Sequence, residues 1–130
     1  MSRNIEDLTS ETQEKYWLFD AGMKQASIDF IVTCTRRTKE KQFSLYCQGR
    51  TKPGKIVTWT LNSRHLRGTA FDIAILVDGK LLWNPDLDVD KDGVPEYTEA
   101  GQIGESVGLK WGGRFTNKDA PHFELNEKPG

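Results

Sequence analysis

The chain predicts an α+β fold in which N-terminal helices pack on a mostly antiparallel β-sheet. Three observations carry that reading. Apolar residues recur at helical spacing in the segments before Gly49, an alternating run from Thr69 to Val77 turns at Asp78-Gly79 into a second short strand, and two more short apolar segments close the chain. With 130 residues there is room for one modest core, so a single domain over 1–130 is expected.

Tyr16, Phe19, Met23 and Ala26 mark a first helix over roughly 10–26, with Thr9 or Ser10 available to cap it before an acidic first turn. Ile28 to Thr35 is short and rich in β-branched residues, which predicts a buried strand. Thr38 can cap a second helix, Glu40 suits its positive end, and Phe43, Tyr46 and Cys47 share a face before Gly49 ends it. Arg50 to Asn62 carries Pro53 and Gly54 and reads as a long loop, a kind of segment that is often functional in a compact domain. In the strand that follows, Phe71, Ile73 and Ile75 point one way, toward a core, and Ala70, Asp72 and Ala74 the other. The Asp72 carboxylate is thereby expected on a face open enough for a metal and a substrate. Asp78-Gly79 turns this strand into Lys80-Leu81-Leu82-Trp83. Tyr97, Ala100, Ile103 and Val107 predict a third helix closed by Gly108, and Leu109-Lys110-Trp111 and Phe123-Glu124-Leu125 the last strands.

Composition excludes several classes. Hydrophobic residues at 36% and charged residues at 28% describe a globular chain, and a net charge of -1 gives no footprint for nucleic acid. Cys34 and Cys47 belong to no CxxC pair and are expected as buried free thiols. The first residues lack the apolar run of a secretory signal and no stretch approaches a membrane span, so cytoplasmic synthesis without membrane insertion is expected. A monomer is expected.

The chemistry gathers around the only two histidines. Ser63-Arg64-His65-Leu66-Arg67-Gly68-Thr69-Ala70-Phe71-Asp72 sets an imidazole and a carboxylate on either side of a glycine, which lets the backbone turn between them. Asp119-Ala120-Pro121-His122-Phe123-Glu124 brings the second histidine with a carboxylate three residues before it, on a segment that Pro121 stiffens. Imidazole and carboxylate suit Zn²⁺, and three protein ligands leave a fourth position open, as hydrolytic zinc requires. His65, Asp72 and His122 are the candidate ligands and Asp119 the candidate base.

Asp88-Val89-Asp90-Lys91-Asp92-Gly93-Val94-Pro95-Glu96-Tyr97-Thr98-Glu99 matches a calcium loop. Acids stand at its positions 1, 3, 5, 9 and 12, glycine at 6, and the Val94 carbonyl at 7, a pattern of hard oxygen donors that wraps Ca²⁺. Asp88, Asp90, Asp92, Val94, Glu96 and Glu99 are the candidate ligands. The strand-and-turn segment before the loop departs from a helix-loop-helix context. Ordering of the loop by calcium is expected to order the third helix and the Trp111 segment with it.

Ser63, His65, Gly68, Ala70 and Asp72, followed after Trp111-Gly112-Gly113 by Asp119, Pro121, His122 and Phe123, resemble the zinc peptidases related to D-alanyl-D-alanine carboxypeptidases, especially the L-alanyl-D-glutamate endopeptidases of phage endolysins. The resemblance runs from about Phe30 to Leu125. It implies a hedgehog/DD-peptidase-like fold, zinc on His65, Asp72 and His122, Asp119 as catalytic base, and Ser63 on the substrate side. The segment Thr33-Cys34-Thr35-Arg36-Arg37-Thr38 resembles the family stretch whose arginine polarises substrate, which implies that role for Arg37, with Arg36 as the alternative. The chain departs from many relatives at Arg114, where they carry aspartate. The implied substrate is the stem peptide of bacterial peptidoglycan, and some phage relatives are switched by calcium. An endolysin made in the cytoplasm of an infected bacterium reaches the wall with a partner such as a holin. A D,D-carboxypeptidase or dipeptidase of the same family, and a non-catalytic metal-stabilised binding module, are the alternatives.

Overall fold

Thr9 opens the first helix, α1 (Ser10–Gln25), with its hydroxyl accepting the Thr12 amide at 3.3 Å. The computed structural model describes residues 2–126. Tyr16, Phe19 and Met23 recur every three to four residues along α1, and all three are buried against the sheet. The chain continues as β1 (Asp29–Cys34), α2 (Lys39–Cys47), a single 3-10 turn (Arg64–Arg67), β2 (Ala70–Val77), β3 (Lys80–Leu82), α3 (Glu96–Ser106), β4 (Leu109–Trp111), a second 3-10 turn (Gly112–Arg114) and β5 (His122–Leu125). A short 3-10 turn at Ile5–Asp7 precedes them and was not expected.

The strands of the sheet pair antiparallel, in the order β1-β2-β5-β4, with β3 also on β2. β5 pairs with the first residues of β2 and β3 with its last. Tyr97, at the start of α3, bridges the region where β3 meets β2. Its hydroxyl accepts the Ile75 amide at 3.1 Å and donates to the Leu82 carbonyl at 2.7 Å. One sheet face carries the core, where the rings of Phe19, Phe71 and Phe123 meet with centroids 4.7–5.6 Å apart. All three are wholly buried, and burial of each contributes about 1.5–3 kcal/mol. The opposite face carries Asp72 with its cross-strand partner His122, and Ala70 with Glu124. Cys34 and Cys47 are both buried and free.

Three expectations need correction. On α2 the buried residues are Gln42 and Cys47, while Phe43 is 60% exposed, because the helix turns a polar side inward to brace the long loop. Ala70 and Ala74 are wholly buried beside the larger cross-strand residues Glu124 and Ile31, so the face opens at Asp72 rather than along the whole strand. Trp83 lies beyond the end of β3 and is exposed. Among the described residues no helix is long and apolar enough to cross a membrane.

Candidate active site

His65 sits in the 3-10 turn that leads into β2. Ser63 seats it, its hydroxyl accepting the His65 amide at 3.2 Å, and Gly68 closes the turn at φ 70°, where a Cβ would stand 2.9 Å from the Asp7 carbonyl oxygen. Ser63 therefore supports His65 from beneath, although it borders the groove. His65 Nδ1 donates to the Thr35 carbonyl at 2.7 Å, which leaves Nε2 aimed at Asp72 Oδ1, 3.2 Å away. His122 has the opposite orientation. Its Nε2 donates to buried Glu124 at 2.9 Å, so Nδ1 faces the same Asp72 oxygen at 2.9 Å.

Two imidazoles thus converge on one carboxylate oxygen from either side, each with its outer nitrogen fixed by an acceptor. Fixing of this kind is what orients histidines for a metal. Ligand atoms around a tetrahedral zinc with bonds of about 2.0–2.1 Å stand roughly 3.3 Å apart. The two His–Asp separations lie near that spacing and the donor types suit zinc, while the two histidines fall in separate donor sets that share Asp72. Asp72 also belongs to two wider groups, with Cys34 and His65 and with Asp119 and His122, whose donor atoms lie within 4.8 Å of one another.

The electrostatics are those of a cation site in its protonated form. Burial acts to lower the His65 pKa, but the hydrogen bonds from Asp72 and Cys34 outweigh it and raise it to about 10. His122 follows the same pattern, burial being outweighed by Asp72 and Glu124, and reaches about 9. Burial acts to raise Asp72, yet the two histidines hold it well below the usual carboxylate range.

Asp119 comes from the segment between the second 3-10 turn and β5, its Oδ2 4.0 Å from His122 Nδ1 and its side chain half exposed. Desolvation and the neighbouring Asp72 charge raise its pKa, against the opposing pull of His122, His65 and Arg37. The segment is tightly built. The Asp119 amide donates to the Gly112 carbonyl at 2.9 Å and the His122 amide to the Asp119 carbonyl at 3.0 Å. A Cβ on Gly112 would meet the Asp119 carbonyl oxygen at 2.3 Å, so only glycine allows this approach. Trp111 Nε1 donates to the Ala120 carbonyl at 2.8 Å, and the Trp111 ring in turn lies against Gly101 of α3.

Arg37, not Arg36, reaches the site. Its Nη2 stands 3.8 Å from Asp72 Oδ2 and 3.6 Å from Cys34 Sγ, while Arg36 is exposed and lines a separate surface pocket. Gln42, wholly buried, holds Arg37 in place. It accepts from Nη1 at 2.7 Å and donates to the Thr60 carbonyl at 2.6 Å. Arg114 points away, paired with Glu105 at 3.1 Å on the surface. Gln42 and Glu124 were not among the expected site residues. Glu124 had a signal, because two residues beyond His122 on a strand is the same face. Arg37, His65, Asp72, Asp119, His122 and Glu124 border a groove of about 930 Å³.

The acidic loop is a second cluster. Asp88, Asp90 and Glu96 form one set of donors within 4.8 Å and Asp90, Asp92 and Glu99 another. Asp88 Oδ1 and Glu99 Oε2 are buried with no hydrogen-bond partner, which fits oxygens placed to bind a cation. Glu96 departs from the expectation of a simple ligand, since its carboxylate accepts the Val89 and Asp90 amides and so ties the loop to the start of α3. The Val94 amide donates to Asp92 Oδ1 at 2.8 Å. Desolvation and the carboxylates of Asp88, Asp92 and Glu96 push Asp90 up to about 6, against the pull of the Asp92 amide; desolvation and the Asp92, Asp90 and Glu96 charges raise Glu99.

Residues 57–125 match the family model described as D-alanyl-D-alanine carboxypeptidase. The peptidoglycan L-alanyl-D-glutamate endopeptidase CwlK of Bacillus subtilis (strain 168) is 36% identical over 109 residues, covering 81% of this chain and 65% of that protein. The chain therefore spans a little under two thirds of this relative. The crystal structure of the Serratia marcescens L-Ala D-Glu endopeptidase ChiX superposes with a TM-score of 0.72 at 23% identity, over 94% of this chain and 83% of that one, which establishes the shared α+β fold. With the family match running through both histidine motifs, the chain belongs to the D-alanyl-D-alanine carboxypeptidase family of peptidases.

Proposed function

We propose that this chain is a zinc endopeptidase that hydrolyses the L-alanyl-D-glutamate bond of peptidoglycan stem peptides. The observation that carries the proposal is the convergence of His65 Nε2 and His122 Nδ1 on Asp72, with Asp119 beside them at the wall of an open groove. A purely structural metal site is closed by a fourth protein ligand and needs no base. The name of the 36% identical relative supplies the bond.

Zinc, when bound, lowers the pKa of a coordinated water to about 7 and polarises the scissile carbonyl. Asp119, ionised, takes the proton as water attacks the carbonyl of L-alanine. The Arg37 guanidinium, clamped by Gln42, donates toward the charge that develops on the carbonyl oxygen; because it is already oriented, little reorganisation is needed at that moment. Asp119 then returns the proton to the departing amine of D-glutamate. Ser63 and Thr35 hold His65, and Glu124 holds His122. Glu124→Gln is accordingly expected to weaken zinc binding about 10–100-fold in a chelator competition assay, with stoichiometric binding restored at high zinc.

Mass spectrometry of fragments from digested peptidoglycan tests the bond. New N-terminal D-glutamate is expected. Release of terminal D-alanine would instead establish the D,D-carboxypeptidase reading, which the description of the matching family model favours. An endolysin role extends the proposal, and membrane permeabilisation of a bacterium producing the chain is expected to trigger lysis.

Calcium on the 88–99 loop is the regulatory part of the proposal. The loop runs straight into α3, Gly101 of α3 packs on Trp111, and Trp111 holds the carbonyl next to Asp119. Desolvation, and with it the repulsion of crowded carboxylates when the loop is empty, raises Asp90 and Glu99. Raised carboxyl pKa values destabilise the empty loop once ionised, and the strain is relieved as pH falls through about 6. Protons and calcium compete for the same oxygens, so calcium affinity measured calorimetrically is expected to be higher at pH 7.5 than at pH 5.5, with lytic activity following occupancy. Absence of binding at millimolar calcium would leave the loop a simple turn.

A further inference from the structure

The groove continues past the catalytic groups into an apolar shelf. Ile31, Leu81 and Trp83 line it from the sheet side, and Ile56, Val57 and Trp59 from the long loop. These six are exposed, Trp83 to 70% and Trp59 to 62%. Ile31 is the cross-strand neighbour of Ala74, and Leu81 that of Leu76, so the shelf begins two residues along β2 from Asp72. That is a distance of roughly 7 Å at 3.3–3.4 Å per residue. In the other direction along β2, Ala70 neighbours Glu124 with Arg64 3.5 Å from it, so that end of the groove is polar and charged.

The proposed substrate has the same division. The L-alanine of a stem peptide is joined through its amine to the lactyl group of N-acetylmuramic acid, so the sugar begins about two residue lengths, roughly 7 Å, from the scissile carbonyl. The glycan is neutral on its pyranose faces, whereas the peptide beyond the scissile bond carries carboxylates. Exposed indoles offer flat apolar surface with a polar edge, which suits a sugar ring.

Resting on the endopeptidase reading, we propose that the Ile31–Leu81–Trp83 shelf, with Trp59 opposite, is a subsite for the glycan strand, and that the stem peptide extends from it across Asp72 toward Arg64. The glycan then sets the register of the peptide. The shelf selects sugar-bearing substrate over free peptide.

Two measurements test this with zinc-loaded protein. The first titrates peptide-free glycan strands onto wild type, Trp83→Ala and Trp59→Ala, followed by NMR. The second compares kcat/KM for a muramyl peptide with that for the same peptide carrying an N-acetyl group in place of the sugar. Saturable glycan binding by wild type is expected, weakened at least about tenfold in each variant, and the preference for muramyl peptide is expected to fall about tenfold through KM. Trp83→Tyr is expected to recover part of both. Equal proportional loss on the two substrates, or no glycan binding by wild type, would overturn the subsite, as would a glycan-independent dimer abolished by Trp83→Ala. If wild type hydrolyses neither substrate, the endopeptidase reading fails while the glycan titration still decides the subsite.

Discussion

His122→Ala is expected to abolish zinc binding and hydrolysis together. Of the three proposed ligands, His122 is the one whose loss reaches furthest, because it contacts Asp72 through one nitrogen and Glu124 through the other. Without it Glu124 remains buried, with Arg64 at 3.5 Å and the cross-strand neighbour Lys110 as the cations acting on it, and a half-broken buried charge pair costs about 3–5 kcal/mol. The metal-free proteins separate the two effects. In the wild type without metal, both histidines titrate high. Their pairing with Asp72 stabilises fully below the ordinary histidine value of 6.5 and is lost as pH rises through about 9 to 10. Asp72, held low, contributes in the opposite sense, losing its contribution as pH falls through its depressed pKa. Zinc must displace the histidine protons, so its uptake releases protons and weakens as pH falls. Chelator should lower the melting temperature of zinc-loaded wild type and leave that of His122→Ala unmoved. Elemental analysis showing full zinc occupancy in this variant would remove His122 from the ligand set.

The residues proposed as ligands and base stand out in the sequence because each motif is short. His65 to Asp72 spans one turn and a strand start, and Asp119 to His122 spans a single turn, so local geometry alone brings each pair near. Meeting of the two motifs rests on β2 pairing with β5, which sets Phe71 opposite Phe123 and Asp72 opposite His122. Gln42 was illegible. A glutamine on a helix ordinarily faces water, and its burial depends on a loop carbonyl at Thr60 and a guanidinium at Arg37 that only the folded chain brings to it. The same contacts explain why Phe43 faces outward, since α2 braces a loop instead of joining the phenylalanine core. The choice between Arg36 and Arg37 is likewise a matter of side-chain direction after β1, where a register shift between Val32 and Cys34 interrupts simple alternation. Ala70 and Ala74 misled for a related reason: small side chains on an outward face invite larger neighbours to close over them.

Asp119→Ala should separate chemistry from metal. The substitution removes none of the three proposed ligands, and the backbone hydrogen bonds that shape its segment, from the Asp119 amide to Gly112 and from the His122 amide to Asp119, survive it. Zinc content is therefore expected to match wild type while turnover falls about 10²–10⁴-fold, the usual contribution of a positioned proton-transfer group. The pH profile adds a second readout. A base works only when ionised, and the Asp119 carboxyl lies above the 3.8 of an ordinary aspartate because desolvation and Asp72 disfavour its charge. As pH falls, wild-type kcat should accordingly fail at a higher pH than an unperturbed aspartate would allow, and the residual activity of Asp119→Ala should lack that limb. Zinc content measured across the same range separates this limb from metal loss, since protons also compete for His65 and His122. Near wild-type hydrolysis of purified cell walls by Asp119→Ala would move the base elsewhere. Retention of the same acid limb in that variant would assign it to the ligands.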